Sequence, residues 1–251
     1  MAEEKTIKVI RHFAIRLYVS QLSDDDALYK KWYVRMPEDR RKNCDRFRNE
    51  ADRRRCVTAY ALLVYALKDL IDENLISLQD EVLSGCIKDG TLPIEHGPDG
   101  KPFFSLIPVC FSISHSNDRV AVALSSMDVG CDVEKIKEAA FDNIAERFFA
   151  KNEYEYLSYI QADEERAGCF TTIWTLKESV IKCSGEGMRR GLGDFSLIDD
   201  EGKMKDTVEL DGKVYHVRTY PQENGYSYSV CGKDPKTEEE IRYIRAEALM
   251  I

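Results

Sequence analysis

Three short segments of strand character, Val109–His115, Val120–Ser125 and Val129–Glu134, follow one another near the middle of the chain. Only the turn-forming groups Ser116-Asn117-Asp118 and Ser126-Met127-Asp128 separate them. Helical patterns lie on both sides. From Pro37 the chain reads as a helix over 37–48, with Glu38 and Asp39 suiting a first turn, and as a second helix over 49–70, where Tyr60, Leu63, Val64, Leu67 and Leu70 keep a 3.6-residue period. Further helices are expected at 141–160 and 166–183. Looser alternation over 6–20 and again after Gly191 (Phe195, Leu197; Val214, His216; Tyr226, Tyr228, Val230) adds strands at both ends. Residues 84–102, rich in Gly and Pro, read as turns, and residues 236–251 as a solvated tail ending in a short helix. Strands and helices in both halves argue an α+β fold with two similarly sized lobes.

The 251 residues suit one large domain or two small ones, and 43% hydrophobic content excludes global disorder. The longest apolar run, Ala59–Leu67, is far shorter than the roughly 20 residues of a membrane span, and the start Met1-Ala2-Glu3-Glu4-Lys5 has no apolar signal segment. Eight dispersed cysteines without a Cys-x-x-Cys, and four scattered histidines, argue against zinc and for thiols in a reducing cytoplasm. The net charge is −9, yet Lys30–Arg55 carries a local +6 and leaves −15 on the rest. A basic element on an acidic body attracts an anion locally. Nucleic-acid binding through Arg40–Arg55 is the competing reading; the acidic remainder and the lack of a recognised motif weigh against it.

Three clusters can carry chemistry. In Val129-Gly130-Cys131-Asp132-Val133-Glu134 the two carboxylates share a strand face, about 7 Å apart by the strand rise, and repel unless a cation lies between them. Lys135 and Lys137 could neutralise Glu134 without a metal. In Trp174-Thr175-Leu176-Lys177-Glu178-Ser179-Val180-Ile181-Lys182, Glu178 and Lys182 are spaced as a helix-surface ion pair, about 0.2–0.5 kcal/mol, or as part of a phosphate and metal site. Phe111-Ser112-Ile113-Ser114-His115-Ser116 offers donors to an anion at a strand end, against the plainer reading of His115 as structural. No Gly-x-Ser-x-Gly elbow supports a serine hydrolase, and Gly97-Pro98-Asp99-Gly100-Lys101-Pro102 lacks the spacing of a phosphate loop.

The order of these clusters resembles the Sfp-type 4′-phosphopantetheinyl transferases. Gly130-Cys131-Asp132-Val133-Glu134 matches the family's Gly-x-Asp-x-Glu, and Trp174 through Lys182 its Trp-x-x-Lys-Glu-Ser-x-x-Lys, with about 40 residues between. Phe111–Ser116 resembles its Phe-Asn-Ile-Ser-His-Ser strand, with Ser112 in place of Asn. Gly100-Lys101-Pro102 matches its Gly-Lys-Pro turn, and Arg46-Phe47 with Asp52 and Arg55 its basic pattern. The family's second basic-helix lysine is Asn43 here, and a nearby Thr is Cys56.

The resemblance implies a pseudodimer, one lobe over 1–125 and the other over 126–251, with the active-site cleft between them. It implies transfer of phosphopantetheine from coenzyme A to a serine of an acyl- or peptidyl-carrier protein, with release of 3′,5′-ADP. Mg²⁺, with Mn²⁺ as the alternative ion, would be held by Asp132, Glu134 and Glu178. Glu178 would also be the general base, and Lys182, with Lys177 as a weaker candidate, would contact the pyrophosphate. Ser114 and His115 would bind coenzyme A phosphates, with Arg40, Arg55 and Lys101 around the 3′-phosphate and Arg53 and Arg54 as compensating charges. A monomer without nucleic-acid or membrane partners is expected. A catalytically silent carrier-binding paralogue is the alternative, and intact Asp132, Glu134, Glu178 and Lys182 speak against it.

Overall fold

Asn49 and Gly185 bound the two longest structural units of the chain. In the computed structural model, which describes residues 8–9, 12–77, 81–137 and 141–250, Asn49 caps a helix by accepting from the Ala51 amide at 2.9 Å. Gly185, with φ of 77°, ends another in the left-handed conformation that glycine adopts without strain. In chain order the elements are β1 (Lys8–Val9), β2 (Arg16–Gln21), α1 (Asp26–Arg35), α2 (Glu38–Asp45), α3 (Glu50–Asp72), β3 (Ile76–Ser77), α4 (Glu81–Asp89), β4 (Ile94–His96), β5 (Pro102–Phe104) and β6 (Cys110–Ser116). They continue as β7 (Arg119–Ser125), β8 (Val129–Lys135), α5 (Phe141–Phe148), α6 (Lys151–Tyr159), α7 (Asp163–Ser184), β9 (Thr207–Leu210), β10 (Lys213–Thr219), β11 (Tyr226–Gly232) and β12 (Arg242–Ile244).

The class is α+β, as the alternating periods imply. One four-stranded sheet runs β12-β2-β7-β6 and a second runs β8-β11-β10-β9. Alternation along the strands sorts the core into layers. Tyr18, Val120, Val122 and Leu124 pack under α3 with Leu62, Leu63 and Leu67. The opposite face of the same sheet, Leu17, Val19, Ala121 and Ala123, meets Cys131, Val133, Tyr228 and Val230 of the second sheet. Beyond that, Leu176 and Val180 of α7 pack with Val217 and Cys231. The order is therefore helix, sheet, sheet, helix, each long helix covering one sheet.

Four expectations change. Residues 84–102 are not all turn: α4 ends at Asp89, because Leu83 and Ile87, one turn apart, bury against the α3 core, and β4 pairs with β5 as a hairpin. The helix expected at 141–160 is two, α5 and α6, and α1 lies where none was foreseen. The charged tail is not solvated throughout. It returns to the first sheet, where β12 runs parallel to β2 and the Arg242 guanidinium donates to Asp69 at 2.9 Å and Glu73 at 2.7 Å. At its end the Trp32 indole donates to the Leu249 carbonyl at 2.6 Å. Of the expected 6–20 strand, residues 6, 7, 10 and 11 lie outside the described residues, as does the tail's last residue, 251. No helix among the described residues is long and apolar enough to cross a membrane.

Candidate active site

β8 and β6 are both edge strands of their sheets, and they face each other. An edge leaves backbone donors unpaired. Here the serines of β6 satisfy some of them: Ser112 Oγ accepts from the Cys131 amide at 3.0 Å and Ser116 Oγ from the Lys135 amide at 3.2 Å. The same serine row holds the acids. Ser114 Oγ donates to Asp132 Oδ1 and Ser116 Oγ to Glu134 Oε2, both at 2.6 Å. Gly130 sets how near α7 can come. A Cβ there would lie 1.9 Å from the Ser179 carbonyl oxygen, so only glycine admits the helix at this crossing.

That crossing brings the two predicted motifs together. Lys182 Nζ donates to Asp132 Oδ1 at 2.6 Å and to Ser114 Oγ at 3.0 Å. Asp132 is only 3% exposed. Lys182 thus pairs across to the strand, and the helix-surface pairing with Glu178 is not what the fold builds. Burial works against the Lys182 ammonium, but Asp132 and the other anionic neighbours outweigh it and hold its pKa above the ordinary lysine value. Burial raises the Glu178 carboxyl above its usual value, and the Asp132 charge adds to this. The Glu134 carboxyl is raised as well, by burial first, with Asp132 adding to it and the Ser116 hydrogen bond opposing it.

Three carboxylates with raised or crowded charge are a donor set suited to a hard divalent cation. The fit can be tested on one atom. Asp132 Oδ2 is buried and has no hydrogen-bond partner, an orphan acceptor of the kind a ligand satisfies. The cluster is nevertheless not closed. Among the described residues no group of three or more His, Cys, Asp or Glu side chains stands close enough together to hold an ion. Lys182 meanwhile supplies the positive charge at Oδ1.

Glu178 and Lys182 also line a cavity of about 550 Å³, within the range of small-molecule sites. Its other walls include Lys101, Phe111, Phe148, Arg190 and Leu192. Beyond Lys182, His115 reaches the surface beside Arg55. Loss of solvation lowers the His115 pKa below 6.5, and the Arg55 charge lowers it further. Arg55 donates to the Asn117 carbonyl at 2.6 Å and pairs with Asp52. Arg40 lies over the Tyr60 ring, 5.7 Å from its centre.

Four expected contributors have protein partners of their own. Lys177 is fully buried and does not face the cleft: it pairs with buried Glu153 at 2.7 Å and donates to the Leu192 and Phe195 carbonyls at 2.7 and 2.6 Å. Adjacent helix residues point about 100° apart, so Lys177 and Glu178 cannot share a face. Lys101 donates to the Val129 and Cys183 carbonyls at 3.3 and 3.1 Å, at the start of β8, whereas Arg55 is at the far end of β6, about 20 Å away at the rise of a strand. These two do not meet at one phosphate. Ser114 directs its proton to Asp132 and so orients a carboxylate, while Arg54, paired with Glu50 at 2.8 Å and with Asp26, is not a spare cation. Glu153 went unrecognised in the sequence. Its one signal was its place three residues after Ala150, whose amide it accepts at 3.0 Å.

A sequence profile of the "4′-phosphopantetheinyl transferase superfamily" matches residues 128–231, from the start of β8 to β11. Over 214 residues the chain is 32% identical to the 4′-phosphopantetheinyl transferase ffp of Bacillus subtilis, covering 84% of this chain and 88% of that one. It is 30% identical over the same shares to the 4′-phosphopantetheinyl transferase Sfp of Bacillus subtilis strain 168. To the 4′-phosphopantetheinyl transferase psf-1 of Bacillus pumilus it is 28% identical, covering 84% of this chain and 85% of that one.

Proposed function

This chain belongs to the Sfp-type 4′-phosphopantetheinyl transferases, and from that premise we propose that it moves phosphopantetheine from coenzyme A to a carrier-protein serine by in-line attack on the β-phosphorus. The serine oxygen bonds to that phosphorus, the bond to the bridging oxygen breaks, and 3′,5′-ADP leaves with the electron pair. Glu178 Oε takes the serine proton. Its pKa, raised by burial and by the Asp132 charge, makes it a stronger base than an ordinary carboxylate. Lys182 Nζ, held over Asp132 and Ser114, faces the pyrophosphate and offsets charge on the leaving oxygen. Asp132, Glu134 and Glu178 would hold Mg²⁺, or Mn²⁺, which when bound neutralises pyrophosphate charge. Ser114 and Ser116 keep the first two acids aimed at that position.

Arg55 and His115 would bind the 3′-phosphate, with Arg40 behind them. Lys101 would act from the cavity wall at the start of β8. Supporting the two-lobe reading, each sheet carries one long helix, and the division proposed at 125/126 falls between β7 and β8. Because one chain supplies both walls of the cleft, a monomer suffices. The eight unpaired thiols suit a reducing cytoplasm. The observation that carries the reading is the contact of Lys182 with Asp132 at the cavity that Glu178 lines.

The test is mass spectrometry of an apo carrier protein incubated with coenzyme A, Mg²⁺ and the purified chain. A gain of about 340 Da on one serine, the covalent increment of phosphopantetheine, is expected. An unmodified carrier under conditions where a known transferase loads it would refute the activity.

A further inference from the structure

Tyr226 opens β11 and belongs to none of the motifs, yet its phenol reaches from the second sheet to the turn between β6 and β7. It donates to Asp118 Oδ1, and it accepts from Asn117 Nδ2 at 3.2 Å and from the Asp118 amide at 3.4 Å. The side chain is buried. Its ring has Lys135 Nζ 4.6 Å and the Arg119 guanidinium 5.1 Å from its centre, so two cations also hold it in place.

The turn carries Arg55. The Asn117 carbonyl accepts from Arg55 Nη1 at 2.6 Å, while Asp52 takes Nη2. Asn117 has a φ of 50°, a left-handed conformation that Asn adopts more readily than most residues but not without steric cost. Asp118 has further anchors: its carboxylate accepts from Gln21 at 2.9 Å and Arg119 at 2.7 Å, and its carbonyl from the Leu22 amide at 2.9 Å. The Asn117 side chain, by contrast, donates to the Tyr226 phenol and, at 3.4 Å, to neighbouring Asp118. His115 stands two residues earlier on β6. One hydroxyl from the second sheet thus fixes the peptide on which the Arg55 guanidinium rests.

We propose that Tyr226 is a positioning residue for the coenzyme A end of the cleft: it holds the β6–β7 turn, and the turn holds Arg55 beside His115. The proposal rests on the proposed function where it gives Arg55 a phosphate to bind; the hold of the turn on Arg55 does not. Asp132, Glu134 and Lys182 are held by other partners, so loss of the phenol acts on binding and not on the transfer step.

Tyr226→Phe keeps the ring and removes the hydroxyl. In the full-length protein it is expected to raise the KM for coenzyme A about three- to tenfold, what one net hydrogen bond is worth, with kcat within about twofold of the parent. The preference over 3′-dephospho-coenzyme A should narrow by the same factor. Combined with Arg55→Ala, it should add nothing to the effect of Arg55→Ala alone, because both act on one contact. A fall in kcat at unchanged KM, or effects that multiply in the double variant, would overturn the proposal. A second measurement needs no turnover. The Arg55 Nε–Hε resonance, assigned by its loss in Arg55→Lys, should show a lower order parameter in Tyr226→Phe than in the parent protein. Equal order in the two would overturn the link between phenol and guanidinium. If Arg55 loosens while Arg55→Ala keeps the preference for coenzyme A, the 3′-phosphate reading fails and the positioning link stands.

Discussion

The acidic and basic ends of the cleft are built in different ways. Around α7, each functional group is held by a partner from another element: Asp132 by Ser114 and Lys182, Glu134 by Ser116, and the helix itself by its close passage over Gly130. Around α3, the arginines are largely engaged with acids of their own neighbourhood, Arg54 with Glu50 and Asp26 and Arg55 with Asp52. The acid end is therefore preorganised by tertiary contacts. The basic end holds its charges in local pairs, which a phosphate bound there as proposed would have to displace.

If that contrast is right, damage at the acid end should be the most severe. Asp132→Ala or Glu178→Ala is expected to lower transfer by about 10²–10⁴-fold, with the fold retained by circular dichroism. Retained activity in the double variant would break the contrast at its stronger end. Next in size is a stability effect on the same helix. Lys177→Met leaves the fully buried Glu153 unpaired and should destabilise the fold by about 3–5 kcal/mol in urea titrations, a loss that Glu153→Gln in the same chain partly restores. A purely catalytic loss without destabilisation would mean that Lys177 works in the cleft after all.

Effects at the basic end should be smaller and confined to binding. Arg55→Ala is expected to raise the KM for coenzyme A about tenfold, from loss of one charged contact, and to erase the preference over 3′-dephospho-coenzyme A. If the preference survives, the 3′-phosphate lies elsewhere. The smallest effect is a pH slope. In the free protein the His115 pKa is below 6.5, and a bound phosphate would raise it, so binding takes up a proton. Affinity for coenzyme A should thus strengthen as pH falls from 7 towards 6, by at most about tenfold per unit for one proton. His115→Gln should flatten the slope; an identical slope in that variant would show that another group titrates.

Much of the helix and strand pattern was legible in periodicity. α3, α7 and the strands from β6 to β8 follow it closely, because each buries one face and exposes another. α1 was missed although Asp25 caps it by accepting from the Ala27 amide at 2.7 Å, since the run of Asp and Lys around it hid a stripe of only Leu28 and Trp32. α4 was missed because Gly85 and Gly90 made its surroundings resemble turns. The tail was misjudged because its charge suggested solvent, whereas Arg242 meets acids brought from α3.

By itself, then, the chain order of residues determined which side chains could do chemistry and which element each would ride on. Local periods depend only on backbone geometry and on near neighbours, so they can be read along a string. Whether Lys177 or Lys182 faces the cleft, which carboxylate Ser114 Oγ meets, and which end of β6 Lys101 attends were decided only by tertiary structure. Those outcomes turn on how two edge strands and one helix approach across 18 to 68 residues of sequence, where hydrogen bonding and desolvation are decided by groups that no local spacing brings together.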